Sequence, residues 1–286
     1  MTGEIKGYLL DYGGTLDTAG CHWGKFIWHG YERCHVGVAW DDFREAYVHT
    51  ERALGQGGII LPTMTFRETL ATKIGMQIGR LREREALSSD SDTQALEERL
   101  LLDLYGEVLR QMEANRPVLA QLADRAPLAL VSNFYGNLPA VVEEMGLGSY
   151  FQTVVESAAE GIRKPDARLF EIALDRLGLQ PQEVMVVGDS LKNDILPAHS
   201  LGCASAWLQG GMEQRPARAA CRDPRDHVAR PAAPARVNPS EESAPDRVNP
   251  SGESAPDPVN RSEERLGTPR DPREAQSISN CTLEAG

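Results

Sequence analysis

Four short segments hold the side chains best suited to chemistry. They are Asp11-Tyr12-Gly13-Gly14-Thr15-Leu16, Ser132-Asn133-Phe134, Gly161-Ile162-Arg163-Lys164-Pro165-Asp166 and Gly188-Asp189-Ser190-Leu191-Lys192-Asn193-Asp194. Three of them directly follow a short apolar run. Together they offer carboxylates, hydroxyls, an amide and a lysine. In-line attack on phosphorus uses these types: a carboxylate nucleophile, a cation to hold a phosphate oxygen, and donors for the charge on the moving group. Three carboxylates brought together without a cation would repel one another, so such a set calls for a metal. Each residue also has a plainer reading. An aspartate at a strand end commonly caps a helix or makes a turn. Ser132 would serve as an ordinary cap, and Asp194 could cap its helix and hold Lys192.

The elements that must position these segments are legible as short apolar runs alternating with helical patterns. IKGYLL (5–10), LALV (128–131), TVVE (153–156), VMVV (184–187) and ASAWL (204–208) read as strands. Their nearly unbroken hydrophobicity fits parallel strands covered on both faces. Helical patterns lie at about 138–145, 167–177 and 193–201, with Pro165 opening the second and Gly178 and Gly202 stopping the last two. The expected fold class is α/β, a doubly wound parallel sheet with ligands at the carboxyl ends of its strands.

About a hundred residues without a strand-like run separate the first two strands, and four amphipathic helices fit there. One has Trp23, Phe26, Ile27, Tyr31 and Cys34 on a face, and another has Trp40, Phe43, Tyr47 and Leu54. A third, opened by a Thr65–Glu68 capping box, has Phe66, Leu70, Ile74, Ile78 and Leu81. The fourth has Leu96, Leu100, Leu104, Val108 and Met112. These stripes, Trp23 and Trp28 included, read as bundle packing. A bundle inserted after the first strand is a lid over that strand's end.

The four segments, in this order at strand ends, resemble the haloacid dehalogenase (HAD) superfamily, and within it the phosphatase-type members with a helical cap. The resemblance covers about residues 4–210. It implies a HAD-like Rossmannoid core and a Mg²⁺-dependent hydrolase that removes a phosphoryl group from a small cytosolic metabolite through an aspartyl-phosphate on Asp11. Asp11 would be nucleophile and metal ligand. Asp189 would bind Mg²⁺ directly, Asp194 directly or through water, and Gly13 through its backbone carbonyl. Hard oxygen ligands suit that ion. Ser132 would donate to the phosphoryl oxygens, with Asn133, Thr15, Gly13 and Gly14 assisting, and Lys164 would neutralise charge and restrain Asp11. The implied division is core at 1–17 and 116–212, cap at 18–115, and tail at 213–286. Only 31 residues separate Ser132 from Lys164, too few for a second cap.

The pattern breaks at Gly13. Most phosphatases of the family carry a second aspartate there as general acid/base, worth roughly 10²–10⁴ in rate. Its loss implies substrates with good leaving groups such as acyl or anhydride phosphates, or an acid supplied by the cap, or a non-catalytic, regulatory phosphate-binding protein. His22 is the best substitute acid, since it titrates near neutral pH, against its plainer reading as a solvated hinge residue. Tyr12 should turn away from Asp11 by strand alternation. Dehalogenation is disfavoured because the metal carboxylates are kept. A phosphonatase would need a cap lysine, and only Lys25 and Lys73 are there.

From Glu213 onward there is no Phe, Trp or Tyr, and 11 of the chain's 18 prolines fall there. An 11-residue repeat runs through it: RVNPSEESAPD from Arg236, RVNPSGESAPD from Arg247, and a degraded copy from Pro258. No unit has an apolar face to stack, so this tail is expected to be disordered. The formal net charge of -12 argues against nucleic acid or an anionic membrane as partner. Five scattered cysteines, no long apolar stretch and no signal-peptide pattern point to the cytoplasm. Oligomeric state is not encoded legibly.

Overall fold

The computed structural model describes residues 4–88 and 92–210. The repeats, and the disorder expected of residues 213–286, lie outside the described residues.

Five parallel strands form one sheet in the order β3-β2-β1-β4-β5. They are β1 (Gly7–Leu10), β2 (Leu128–Ser132), β3 (Thr153–Glu156), β4 (Val184–Gly188) and β5 (Ala204–Trp207). Each coincides with an apolar run read from the sequence. Alternation sends neighbouring residues to opposite faces. Leu10, Leu128 and Leu130 enter one buried cluster, while Leu9, Ala129, Val131, Val155, Val184 and Val186 enter the other. Burial on both faces is why the runs show no polar interruption.

Between β1 and β2 come four helices: α1 (Trp23–Arg33), α2 (Trp40–Gly55), α3 (Phe66–Glu83) and α4 (Thr93–Ala123). The expected stripes face inward: Phe26, Ile27, Tyr31, Phe43, Ile74, Ile78, Leu100 and Leu104 are all buried. The Thr65–Glu68 capping box forms with both of its hydrogen bonds. α4 is longer than its apolar stripe and runs through residues 115 and 116, with Pro117 inside it. The cap boundary drawn there from the sequence therefore falls within one helix.

The remaining helices are α5 (Leu138–Glu144), α6 (Ser157–Glu160), α7 (Arg168–Leu177) and α8 (Leu196–Leu201). α5 ties the inserted bundle down. The carboxylate of Glu144 accepts the amides of Phe66 and Arg67 at the start of α3 and the hydroxyl of Tyr105. Asn137 donates to Met64 O and Thr69 Oγ1, each at 2.8 Å. Before α8, a single π-type turn occupies Leu191–Ile195, where the sequence reads as the start of an ordinary helix. Such wide turns recur at functional sites, and this one carries Asp194. Among the described residues no helix is long and apolar enough to cross a membrane, and Cys21, Cys34 and Cys203 are not disulfide-bonded.

Candidate active site

β1 lies between β2 and β4, so the residues at their carboxyl ends converge. Asp11 follows β1, Ser132 ends β2, and Asp189 follows β4. The chain winds outward from β1 in both directions, which makes the β1–β4 crevice the sheet's switch point, the usual place for a ligand. Two glycines permit the approach. Gly14 has φ +91°, and a Cβ there would overlap the Asp189 carboxylate. A Cβ on Gly188 would overlap Asp194.

Three donors meet on one oxygen of Asp11. Its Oδ1 accepts the Ser132 hydroxyl at 2.7 Å and the Tyr12 amide at 2.8 Å, and lies 2.9 Å from Lys164 Nζ. The same ammonium reaches Asp194 Oδ1 at 2.6 Å and Val131 O at 3.1 Å. Asp194 is fully buried, its Oδ2 accepting the Ser190 amide at 3.0 Å. Thr15 Oγ1 donates to Asp189 Oδ1 at 3.1 Å, and the Trp207 indole holds the Asp189 carbonyl at 2.8 Å. The Asn133 side-chain amide makes a two-way pair with the backbone of Lys164, both bonds 2.9 Å, and so positions the lysine.

The charge balance of this site is negative. Oxygens of Asp11, Asp189 and Asp194 all lie within 4.8 Å of one another, against the ammonium of Lys164. Burial, together with Asp11 and Asp194, pushes the Asp189 carboxyl up to about 7. Burial and Asp11 also raise Asp194, against the pull of Lys164. Burial by itself would lower the Lys164 ammonium, but Asp11 and Asp194 outweigh it and hold it above its usual value. Three hard oxygen donors short of positive charge fit a divalent cation such as Mg²⁺.

Gly13 brings no side chain to this cluster, and α1 fills the space beside it. A Cβ on Gly13 would sit 3.7 Å from Trp23 Nε1. That indole donates to Asp17 Oδ2 at 2.8 Å, while Asp17 Oδ1 accepts the Gly14 amide at 2.7 Å. Asp17 is 1% exposed, and burial raises its carboxyl to about 8 against the pull of these two donors. Trp23 thus does more than pack on Phe26 and Phe66; it bonds to the loop that follows Asp11. His22 caps α1, its Nδ1 accepting the Gly24 amide at 3.0 Å. Tyr12 is wholly buried, edge-on to Phe66 and Phe134.

Two features are not legible in the sequence. Nothing in DYGGTLD distinguishes a buried carboxylate at Asp17 from a solvated one. Lys73 projects from α3 into a buried cluster with Glu51 of α2 and Tyr135, three residues beyond Ser132. The available signal was a lysine falling between Leu70 and Ile74 on an otherwise apolar face.

A family model for haloacid dehalogenase-like hydrolases matches residues 24–202, more than half of the chain. The chain belongs to the haloacid dehalogenase-like hydrolases. The matched stretch includes Ser132, Lys164, Asp189 and Asp194 and begins after the Asp11 loop. Among HAD relatives, the pyrimidine 5'-nucleotidase YjjG of Escherichia coli is 27% identical over 117 residues, 40% of this chain and 52% of its own. A phosphoglycolate phosphatase of Vibrio parahaemolyticus is 29% identical over 154 residues, 51% of this chain and 67% of its own. The alignment to YjjG thus spans about half of that relative's length. The solved structure of the HAD-hydrolase YfnB from Bacillus subtilis, bound to magnesium, aligns over 75% of this chain and 93% of its own at 19% identity and a TM-score of 0.46.

Proposed function

We propose that this HAD hydrolase is a Mg²⁺-dependent phosphohydrolase acting on a small phosphorylated metabolite of the cytoplasm, with residues 1–17 and 116–212 as core and 18–115 as cap. The observation that carries this reading is the convergence of Ser132, Lys164 and the Tyr12 amide on Asp11 Oδ1 beside two further carboxylates. With Oδ1 held, Oδ2 is the oxygen that attacks phosphorus. The bond from phosphorus to the leaving oxygen breaks, and its electron pair stays on that oxygen. Water then attacks the phosphorus of the aspartyl-phosphate, the phosphorus–oxygen bond to Asp11 breaks with its electron pair returning to the carboxylate, and the water's protons leave with phosphate or pass to bulk solvent.

Asp11, Asp189, Asp194 and the Gly13 carbonyl would hold the cation, which when bound offsets charge on the phosphoryl oxygens. Ser132 and Thr15 offer hydroxyls for those oxygens, and the buried Lys164 holds Asp11 in position. The absence of a side chain at Gly13 favours acyl and anhydride phosphates, whose leaving groups need no proton. The same absence supports a second reading, a phosphate-binding protein without turnover.

The test is hydrolysis of p-nitrophenyl phosphate and acetyl phosphate by the full chain with Mg²⁺, with EDTA, and as Asp11→Asn. Turnover that requires both Mg²⁺ and Asp11 supports the enzyme. A folded, Mg²⁺-binding protein no faster than Asp11→Asn supports the binding reading instead.

A further inference from the structure

Lys73 is a buried cation that the reaction above does not use. Its ammonium lies 2.8 Å from Glu51 Oε1 and donates to the Tyr135 hydroxyl at 3.0 Å, while that hydroxyl donates to Glu51 Oε2 at 2.7 Å. It also lies over two aromatic rings, 5.3 Å from the centre of Trp23 and 5.2 Å from that of Tyr135. The Lys73 side chain is 8% exposed and that of Glu51 is 18% exposed. Glu51 Oε1 is buried with no hydrogen bond aligned on it.

Two contacts tie this cation to the loops that flank the nucleophile. The Trp23 ring beneath Lys73 is the one whose Nε1 would face a side chain at position 13, the place where a proton donor is missing. The same indole holds Asp17, which binds the amide of Gly14. Tyr135 follows closely on Ser132, whose hydroxyl reaches the nucleophile. Burying an ion pair costs more than burying apolar residues of like volume, so Lys73 and Glu51 are a poor choice for packing alone. An ammonium has three donors; one goes to the Tyr135 hydroxyl, and Glu51 Oε1 lies 2.8 Å away as the opposite charge.

We propose that Lys73, set in place by Glu51 and Tyr135, receives the leaving oxygen as an anion, which extends the substrates from acyl phosphates to phosphate esters whose leaving group departs unprotonated. This rests on the phosphohydrolase reading. No proton is needed for the step. Asp11 bonds to phosphorus, the bond from phosphorus to the leaving oxygen breaks, and the electron pair remains on that oxygen beside the ammonium. A fixed cation at developing charge does by electrostatics what an acid at position 13 would do by proton transfer.

The test uses the full chain with Mg²⁺ and aryl phosphates of differing leaving-group acidity. Lys73→Met should lower kcat/KM on phenyl phosphate by about 10²-fold and on p-nitrophenyl phosphate by only about tenfold or less, because the better leaving group needs the cation least. Lys73→Met/Glu51→Met removes both charges without leaving either unpaired and should show the same steepening if the single variant does not fold. Equal loss on both esters overturns the proposal and marks Lys73 as structural. A wild-type chain with no Mg²⁺- and Asp11-dependent turnover overturns the phosphohydrolase reading itself, and this proposal with it.

Discussion

Gly13 and Trp23 face each other across the loop that follows the nucleophile: a Cβ on Gly13 would sit 3.7 Å from the indole Nε1. That is ordinary contact distance, so one methyl fits, while a longer side chain meets the indole N–H already bonded to Asp17. Gly13→Ala should therefore be neutral in stability, within about 0.5 kcal/mol. Gly13→Asp brings a carboxyl within reach of the leaving group and should raise alkyl phosphate turnover, toward the roughly 10²–10⁴-fold that an acid/base supplies. Steady-state rates on glycerol phosphate decide it. No gain would mean that another group already performs that role.

Asp11→Asn keeps an oxygen for Ser132, Lys164 and the Tyr12 amide but cannot attack phosphorus. Turnover should fall to background while the melting temperature holds. A variant retaining more than a few per cent of activity would remove Asp11 as nucleophile.

Lys164→Met leaves two buried carboxylates, Asp11 and Asp194, without their cation. Stripping one partner from a buried pair costs about 3–5 kcal/mol, so urea unfolding in EDTA should show a loss of that order. Added Mg²⁺ should recover part of it by supplying charge to the same oxygens. An unchanged unfolding midpoint would contradict the assigned ion pairs.

The buried carboxyls also set a pH dependence. Asp17 is raised to about 8 and Asp189 to about 7, both chiefly by burial, from an ordinary value of 3.8. Between that ordinary value and the raised ones the folded state holds protons that the unfolded chain has released. Its stability is fullest at low pH and is lost as pH rises through those raised values. In EDTA the melting temperature should fall from about pH 5 to about pH 8. Mg²⁺ competes with those protons, so it should raise the melting temperature more at the higher pH. A shift of equal size at both would argue against carboxylate ligation.

Much of this molecule was legible in its residues. The five strands stood out because a parallel strand covered on both faces must be apolar at every position. The four helices between β1 and β2 showed through their stripes, the Asp11, Ser132 and Asp189–Asp194 segments through their place at strand ends, and Lys164 through its order among them. The length of α4 was not legible, because its last turns carry no single apolar face. The π-type turn at Leu191–Ile195 was hidden for a different reason: it depends on where Lys164 and the Ser190 amide hold Asp194.

The sequence by itself determined the sheet, the inserted bundle and the set of groups at the strand ends, since each follows from local periodicity or short-range spacing. Tertiary structure decided which of those groups meet and what each does. Strand order β3-β2-β1-β4-β5 brings Lys164 to Asp11 across 153 positions of chain, and sets the Asn133 amide on the Lys164 backbone. Burial gave Asp17 and Lys73 properties that their residue types do not announce. A carboxylate or an ammonium has the same letter in water and in a protein interior, and only its neighbours set its charge and its reach.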